Sequence, residues 1–392
     1  MSLDAAALTL LAKSEARRQG FALAGIAAPQ ASSHIARYRE WIAAGFHGEM
    51  DYLARQDAIR RRSDPRQILP ECQAILVVAM RYPAPDMVGP EGMRVAAYAR
   101  GQDYHDLLTA RLRLVVEALE SAADSAFPFR IYADTGPLLE RELAQRAGIG
   151  WIGKNTCLIH PEIGSYSLLA EVLLGLPLQP DSPFHEDRCG TCTRCLEACP
   201  TGCIQPDRTI DARRCLSYLT IELRGSLPVG LRPALGPWLF GCDVCQQVCP
   251  WNQKGKAAPT DPVFSPRPAL RLPTPADILS LSPDAVRAQF RDSPLLRPKR
   301  AGLLRNAAVV AGNLGDRAAL PALAEALDDP EPLVRGHAAW AIGQLAGPDA
   351  RTVLQRAMDH EADASVRGEL GEALSRLDAS GTAASRRDHW AG

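Results

Sequence analysis

The stretch Cys189-Gly-Thr-Cys192-Thr-Arg-Cys195-Leu-Glu-Ala-Cys199-Pro200 carries four cysteines at the spacing C-x2-C-x2-C-x3-C-P. A second run, Cys242-Asp-Val-Cys245-Gln-Gln-Val-Cys249-Pro250, lies further along the chain, and Cys215 stands between the two runs. Three thiolates at this close spacing can surround one cubane cluster, while the rigid Cys-Pro corner directs the fourth thiolate away from it. The pattern predicts two 4Fe-4S clusters.

The ligands divide between the clusters by geometry, as in bacterial ferredoxins, where the fourth cysteine of such a run serves the other cluster. The close triple needs one distant ligand, and Cys249 is the natural donor. The second cluster then takes the remaining cysteines of both runs together with Cys215. We expect cluster 1 to be held by Cys189, Cys192, Cys195 and Cys249, and cluster 2 by Cys199, Cys215, Cys242 and Cys245.

Zinc and disulfides are the alternatives for these cysteines. Structural zinc sites usually use two CxxC pairs about 15–20 residues apart, without a tight triple. The cysteines left over are Cys72, Cys157 and Cys203, which are most simply buried small side chains. Cys203 lies close behind the first run, so its thiol competes with Cys215 in the assignment, although Cys215 is preferred.

The composition is that of a globular chain without a global charge bias. Its 392 residues suggest two or three domains of about 150 residues each, and a hydrophobic content of 46% is enough for packed cores. The formal net charge of −1 means that any nucleic-acid-binding surface has to be a local patch. No basic leader and no run of 18 apolar residues is found, so a cytoplasmic protein without a membrane span is expected.

Strand and helix patterns alternate over the first 180 residues. Apolar runs predict strands, and apolar residues at helical spacing predict helices. The predicted strands are 21–26, 74–80, 129–133 and 165–174, and the predicted helices are 4–19, 34–45, 106–121 and 137–147. This mixture predicts an N-terminal α/β or α+β domain over residues 1–180, followed by a ferredoxin-like domain with two clusters over 181–255.

The C-terminal part of the chain contains an internal repeat. Residues 306–314 match residues 337–345 at an offset of 31, with small residues on one face as in HEAT-like helix pairs. We expect a helical repeat domain over 301–378 and a flexible tail over 379–392. The proline-rich residues 256–300 are expected to form a linker.

Several shorter motifs permit more than one interpretation. Residues 148–153 fit G-x-G-x-x-G, but a helix rather than a strand precedes them, so a nucleotide site is not favoured. Asp103-Tyr-His105 begins like the D-x-H-x-x-G motif of corrinoid-binding proteins, but Leu108 occupies the glycine position. This argues against His105 as a cobalt ligand. Asp134 either caps a turn or lies in a ligand crevice at the end of a strand.

The ordered combination of motifs resembles the epoxyqueuosine reductase family over nearly the whole chain. The matching segments are Gly-Gln-Asp-Tyr-His (101–105), Asp-Thr-Gly (134–136), Ala-Gly-Ile-Gly-Trp-Ile-Gly-Lys-Asn (147–155), Pro-Glu-Ile-Gly-Ser-Tyr (161–166), Gly-Cys-Asp-Val-Cys-Gln (241–246) and Arg-Gly-His-Ala-Ala-Trp-Ala-Ile-Gly (335–343). The resemblance implies an oxidoreductase of tRNA queuosine biosynthesis that carries base-off cobalamin bound by the N-terminal domain. It further implies an epoxyqueuosine-bearing anticodon as substrate and a low-potential electron donor. A monomer is expected.

The resemblance also implies roles for individual residues. Asp134 matches the proton donor of the family, and desolvation beneath the cofactor would raise its pKa. Tyr104 and His105 would shape the substrate pocket. The implied cobalamin contacts are Arg62, Asp134, Lys154, Asn155, Ser165 and Ser217, and the implied tRNA contacts are Arg297, Lys299, Arg300 and Arg305.

Two other functions remain open. The first is a ferredoxin-type electron carrier that docks partners through its repeats, but such a carrier has no use for about 180 additional N-terminal residues. The second is a corrinoid reductase of a small molecule such as an organohalide. The absence of an export signal and the presence of a repeat domain count against it.

Overall fold

A computed structural model describes residues 4–84, 92–254, 260–264, 273–347 and 349–388. Its strands are β1 (Leu23–Ala27), β2 (Ala74–Arg81), β3 (Arg94–Val95), β4 (Phe129–Tyr132), β5 (Trp151–Ile152), β6 (Leu158–Ile159), β7 (Ser167–Leu174) and β8 (Trp238–Phe240). Its α-helices are α1 (Ala5–Arg18), α2 (Ile35–Ala43), α3 (Asp51–Ala54), α4 (Gln56–Ser63), α5 (Tyr104–Ala123), α6 (Glu140–Arg146), α7 (Arg194–Glu197), α8 (Leu216–Ile221), α9 (Arg232–Leu235), α10 (Val244–Gln247), α11 (Pro250–Lys254), α12 (Pro275–Leu279), α13 (Pro283–Gln289), α14 (Lys299–Leu314), α15 (Leu320–Ala326), α16 (Pro332–Leu345), α17 (Ala350–His360) and α18 (Ala364–Asp388).

The chain divides into two compact units, each built from separate stretches of sequence. One comprises Met1–Pro85, Gly101–Arg213 and Asp243–Ser265, and the other comprises Asp86–Arg100, Arg214–Cys242 and Pro266–Gly392. The predicted ferredoxin-like segment 181–255 is therefore not a separate unit. Its central part belongs to the second unit, and its two ends belong to the first.

The first unit is organised around an antiparallel sheet with the order β1-β2-β7-β4. Helices α1 and α5 lie on one face, and α6 lies on the other. Because both faces are covered, every residue of β2 except the last is buried, which explains its uninterrupted apolar sequence. The predicted mixture of helices and strands is confirmed. The crevice rule used for Asp134, however, applies to parallel sheets and does not apply here.

The second unit contains the predicted helical repeat. The matching segments form α14 and α16, which pack against each other, and α16 packs in turn against α18. Gly343 permits the close approach of α16 and α18, because a side-chain carbon there would lie 2.9 Å from Cβ of Ala373. A short parallel pair, β3 with β8, completes this unit. Within the described residues, no helix has the length and apolarity that crossing a membrane requires.

Two boundary predictions are wrong where the structure describes them. Residues 273–300 are not a linker, because α12 and α13 bury Ile278 and Phe290 and α12 packs against α14. Proline at the first turn of both helices begins them and does not break the chain. The expected tail is helical as far as Asp388. Residues 256–259, 265–272 and 389–392 lie outside the described residues.

Two buried polar side chains of α14 bind the segment between the cysteine runs. Arg305 is fully buried and donates hydrogen bonds to the carbonyl oxygens of Leu219, Leu223 and Gly225 at 2.8–2.9 Å. Asn306 donates to the carbonyl oxygens of Thr220 and Leu239. The expectation that Arg305 contacts tRNA is therefore wrong, since its guanidinium group is used inside the second unit.

Replacing Arg305 tests this structural role. We expect Arg305→Met to lower the free energy of unfolding by about 3 kcal/mol, because three buried carbonyl oxygens lose a charged donor. Arg297→Met is the matched control. Its side chain is 53% exposed and pairs with Glu222, so a change within about 1 kcal/mol is expected. Urea unfolding followed by circular dichroism measures both, and equal stability of the two variants would contradict the assignment.

Candidate functional site

Asp134 lies on a constrained turn directly after β4. Its φ of +60° places it in the left-handed region, which aspartate tolerates better than most residues. Gly136 completes the turn, because a side-chain carbon there would lie 2.5 Å from the Tyr132 ring. The side chain of Asp134 is 63% exposed. The turn therefore presents a carboxylate at the surface of the first unit in a fixed orientation.

The first turn of α5 supplies two donors to this carboxylate. The hydroxyl of Tyr104 donates to Asp134 Oδ2 at 2.8 Å, and His105 Nε2 lies 3.7 Å from the same oxygen. The two rings stack with their centroids 4.1 Å apart. Asp103 caps α5 and holds His105 Nδ1 at 2.6 Å, which orients the imidazole ring. The three residues Tyr104, His105 and Asp134 are thus brought together as expected.

The charges at this site are set by the side chains around His105 and Asp134. Although burial alone would lower it, the hydrogen bond to Asp103 and the Asp134 carboxylate 3.7 Å away raise the pKa of His105 to about 9, so the imidazole is cationic at neutral pH. The nearby His105 imidazole, and then the hydrogen bond from Tyr104, lower the pKa of Asp134. The predicted rise of the Asp134 pKa concerns the site covered by cofactor and substrate, so it stays a prediction.

Sequence reasoning missed two carboxyl groups behind Asp134. Glu140 is the first residue of α6, and its Oε1 accepts a hydrogen bond from the backbone N–H of Asp134 at 3.0 Å. Glu171 lies in β7, is fully buried, and has no hydrogen-bond partner on either carboxyl oxygen among the described residues. One signal was available: Glu171 is the single charged residue in the apolar strand 167–174.

Both glutamates favour the protonated form. Burial, and then the charge of Asp134, raises the pKa of Glu140 to about 8. Burial, followed by the charges of Glu140 and Asp134, raises the pKa of Glu171 well above its ordinary value. At neutral pH, the protons of this carboxyl group cluster therefore reside on the two glutamates, while Asp134 is ionised.

A second feature of the first unit is a cavity lined by cysteines. Its volume is about 230 Å³, and its walls include Cys189, Cys192, Cys195 and Cys249, together with Lys154 and Trp251. These are the four cysteines expected to hold cluster 1. Within the described residues, no group of three or more His, Cys, Asp or Glu side chains is placed to hold a single metal ion. Four thiols around an open volume suit a cluster better than one zinc ion.

The loop from Trp151 to Ser165 forms part of the wall of this cavity. The indole N–H of Trp151 donates to Cys189 Sγ at 3.4 Å, and Lys154 Nζ donates to the carbonyl oxygens of Gly190 and Cys192. Asn155 and Ser165 are each only 4% exposed. Asn155 bonds to the backbone of residues 157 and 245, and Ser165 bonds to the side chains of residues 246 and 252.

The remaining cysteines are distributed over both units. Cys199 and Cys245 belong to the first unit, whereas Cys215 and Cys242 belong to the second, as does Ser217. Cys203 is 2% exposed, and its Sγ lies 3.4 Å from Cys199 Sγ. A hydrogen bond from Cys203 lowers the pKa of the Cys199 thiol to about 4. The thiol that complicates the ligand assignment therefore contacts one of the expected ligands.

The cationic residues expected to contact cobalamin or tRNA differ in how strongly they already bind other protein groups. Arg62 lies over the Tyr38 ring and makes one long hydrogen bond of 3.5 Å to the carbonyl oxygen of Ala58. Arg300 is half-buried in an ion pair with Asp329 at 2.6 Å. Arg297 and Lys299 are exposed. These last two side chains are the most accessible of the four cations predicted to contact tRNA.

Comparison with known proteins identifies three segments of the chain. The family described as epoxyqueuosine reductase QueG, DUF1730, matches residues 62–135. A 4Fe-4S double cluster binding domain matches residues 188–252, and HEAT repeats match residues 295–375. The epoxyqueuosine reductase of Pseudomonas aeruginosa is 38% identical over 86% of this chain and 95% of its own length. That of Escherichia coli K12 is 39% identical over 83% of this chain and 86% of its own length.

Solved structures show the same similarity. An epoxyqueuosine reductase with a tRNA-Tyr epoxyqueuosine-modified stem loop has a TM-score of 0.86 at 33% identity, covering 95% of this chain and 99% of that one. The Bacillus subtilis enzyme, with a catalytic loop swung out of the active site, has a TM-score of 0.84 at 32% identity. It covers 94% of this chain and 100% of that one.

The imidazole of His105 provides a test of the charges at this site. In the free protein, we expect the titration midpoint of this imidazole, measured by NMR, at about pH 9. Asp134→Asn should lower that midpoint, because a neutral amide no longer stabilises the imidazolium. Asp106→Asn is the matched control, since Asp106 is an exposed acid of the same helix and the midpoint should not change. A wild-type midpoint near the ordinary value of about 6.5 would contradict the described geometry.

Proposed function

The chain belongs to the epoxyqueuosine reductase family, and from this premise we propose how its own residues carry out the reaction. The substrate is epoxyqueuosine at the wobble position of a tRNA anticodon, and the product is queuosine. The observation that carries the proposal is the exposed Asp134 carboxylate, held by Tyr104 and His105 in the same unit as a cavity lined by four cysteines. An acid for an oxygen leaving group and a site for an electron carrier are the two parts that this chemistry requires. A simple electron carrier would not need the acid.

The reaction defines what the protein has to deliver. Conversion of the epoxide to an alkene releases its oxygen as water and consumes two electrons and two protons. Two 4Fe-4S clusters would pass electrons singly from a low-potential donor. Base-off cobalamin, when bound, would supply low-potential chemistry at the epoxide carbon.

Asp134 is proposed as the general acid for the leaving oxygen. Its fixed turn directs the carboxyl group outward, where a bound base can meet it, and Tyr104 and His105 restrict its orientation. A cation at His105 also stabilises the carboxylate that Asp134 becomes when it donates its proton. Covering this face with substrate and cofactor would remove water and raise the pKa of Asp134 from its lowered value in the free protein.

The cluster ligands follow the cysteine runs. Cys189, Cys192, Cys195 and Cys249 are proposed to hold cluster 1, and the cavity that they line supports this assignment. The ligands proposed for cluster 2 are Cys199, Cys215, Cys242 and Cys245. For this second set, the support is the motif spacing and the match to a double-cluster domain over residues 188–252.

Contacts to cobalamin are proposed to come from two kinds of residue. Arg62 and Asp134 keep polar groups available for a large ligand, and Lys154 adds a positive charge at the cysteine cavity, where it binds two backbone carbonyl oxygens. Asn155 and Ser165 fit less directly, because their side chains already bind protein groups and are buried. Any contact from these two residues would involve the shape of the wall more than free side-chain donors. Ser217 is proposed from its motif position alone.

Contacts to tRNA are proposed at the exposed cations of the second unit. Lys299 can reach phosphate oxygens directly. Arg297 would exchange its exposed ion pair with Glu222 for a phosphate, and Arg300 would first have to leave its less exposed partner Asp329. Phosphate contacts of this kind contribute affinity without reading sequence and weaken with salt.

The experiment that tests the proposal is an anaerobic conversion of epoxyqueuosine-containing tRNA, with reconstituted protein, added cobalamin and a chemical reductant. Mass spectrometry of the nucleosides should show loss of one oxygen mass, dependent on cobalamin. We expect Asp134→Asn to lower turnover by about 10²-fold or more, because general acid catalysis contributes that much. Asparagine tolerates the same backbone conformation, so the fold and both clusters should remain. The matched control Asp106→Asn should convert normally.

The outcomes separate the parts of this proposal. No conversion by the wild-type protein, with clusters and cobalamin present, would overturn the substrate assignment. Normal conversion by Asp134→Asn would overturn the role of Asp134 alone.

The crossed ligand assignment is tested by removing one thiol at a time. We expect Cys199→Ala to damage cluster 2 and to leave cluster 1 intact, because Cys199 is placed in the set of Cys242 and Cys245. Cys203→Ala is the matched control, since its thiol is the buried neighbour of Cys199 at 3.4 Å and is not a proposed ligand. Iron content and electron paramagnetic resonance distinguish the clusters. Loss of cluster 1 in Cys199→Ala, or loss of either cluster in Cys203→Ala, would refute the assignment.

A further inference from the structure

Glu171 is an unusual side chain for the position that it occupies. It lies in β7, opposite Val77 of β2 and Tyr132 of β4, on the sheet face it shares with Leu169 and Leu173. Its side chain is fully buried, and neither carboxyl oxygen meets a hydrogen-bond donor of the described residues. Burying a carboxyl group without partners is unfavourable, and an apolar side chain would fill this place at lower cost. The position therefore calls for a chemical explanation.

The neighbouring helix supplies a second carboxyl group that connects this position to Asp134. Helix α6 packs on the face of the sheet toward which Glu171 is directed, against both β2 and β7. Its first residue, Glu140, accepts the backbone N–H of Asp134 at 3.0 Å. Glu140 thus belongs to the helix that packs over Glu171 and at the same time contacts the backbone of Asp134.

The proton stoichiometry of the reaction indicates a function for these three acids. Here the inference rests on the proposed function. Two protons are consumed for each epoxide, but Asp134 carries at most one. A substrate that takes a proton from Asp134 must contact the exposed face of the Asp134 carboxyl group. Because solvent reaches Asp134 through the same face, the bound substrate blocks resupply from water. Resupply during turnover has to come from the protein side.

We propose that Glu171 and Glu140 form a carboxylic-acid pair that supplies protons to Asp134 during turnover. The O–H bond of the Glu140 acid breaks, and its proton passes to the Asp134 carboxylate. The proton of Glu171 then restores Glu140. No electrons move in these steps, and the leaving oxygen drives them because an alkoxide is far more basic than a carboxylate. Water replenishes the pair through Asp134 once the product has left.

The groups around the pair are consistent with this direction of transfer. Glu171 faces Glu140 and Asp134, while Glu140 faces Asp134 and the cations Arg141 and Arg62. The pKa of Glu140 is raised to about 8 and that of Glu171 is raised well above its ordinary value, so both acids hold protons at neutral pH. On the other side, His105 and Tyr104 stabilise the ionised form of Asp134.

Infrared spectroscopy tests the pair without any turnover. We expect the wild-type protein at pH 7 to show carbonyl stretching absorption of protonated carboxylic acid, and Glu171→Gln to lose the part of it that Glu171 contributes. Glu142→Gln is the matched control. Glu142 is a buried acid of α6, the helix that begins with Glu140, and it accepts hydrogen bonds from Ser32 and Ser33. This variant should keep the absorption. No difference between the wild-type and Glu171→Gln spectra would overturn the proposal.

Single-turnover kinetics test whether these protons are used. Glutamine retains the size of the neutral acid and, at residue 140, can still accept the Asp134 N–H, so the fold is preserved. We expect Glu171→Gln and Glu140→Gln each to slow single-turnover conversion about 10-fold or more, while Glu142→Gln reacts at the wild-type rate. Wild-type conversion should slow as pH rises through about 8, where Glu140 loses its proton, and this limb should be absent in Glu140→Gln.

The two measurements separate the possible failures. If the wild-type protein does not convert the tRNA, the proposed function fails, and the infrared absorption alone decides whether the acid pair exists. If it converts the tRNA and both glutamine variants react at the wild-type rate and with its pH dependence, the supply role is refuted. If Glu171→Gln does not fold, Glu140→Gln decides, because residue 140 lies at the start of a helix near the surface.

Discussion

The pairing of β7 with both β2 and β4 is the constraint on which the first unit depends. Its register places Glu171 opposite Tyr132, two residues before Asp134, so the turn that presents the acid starts from a fixed point on the sheet. The chain enters β7 through Ser165, which is tied to residues 246 and 252 beside the cysteine cavity. One antiparallel strand therefore sets the position of the acid and of the cavity wall. A shift of register by one residue would turn Glu171 to the opposite face.

The electrostatics of the Asp134 site follow from the layers around that strand. On the solvent side, a phenol and an imidazolium stabilise a carboxylate. On the buried side, low polarity and mutual repulsion keep Glu140 and Glu171 neutral. Groups of the same chemical type thus exist in different protonation states within one cluster. Such a division of environments is how proteins assign acid and base roles to carboxyl groups.

The second unit uses buried polar groups for a different purpose. Arg305 and Asn306 of α14 hold the backbone of residues 219–225 and 239, which belong to the segment that begins after the first cysteine run. His337 of α16 occupies the position in the repeat that corresponds to Asn306. Its Nε2 accepts a hydrogen bond from the backbone N–H of Leu227 at 3.1 Å. The repeat helices therefore serve as a scaffold for the segment that contains Cys215 and Cys242. Polar residues inside the repeat specify how this irregular segment is held.

Local patterns determined much of this protein from the sequence alone. The cysteine spacing indicated the double-cluster domain, which the family match confirms, because cluster ligands are fixed by short-range spacing. The strands of the sheet and the helices around it were predicted within a few residues, since apolar periodicity reports which faces are buried. Asp134, Tyr104 and His105 were found through their motifs, and the structure brings them together.

Only the tertiary structure decided the properties that depend on what surrounds a side chain. Arg305 reads as a surface cation in the sequence, yet it is fully buried because α14 packs on residues 219–225. The proline-rich residues 273–300 read as a linker, yet their prolines begin helices that cover the repeat. The pKa of Asp134 is lowered and those of Glu140 and Glu171 are raised because the sheet and α6 bring distant residues together. Burial and electrostatic environment are properties of packed neighbours, and those neighbours are far apart in the chain.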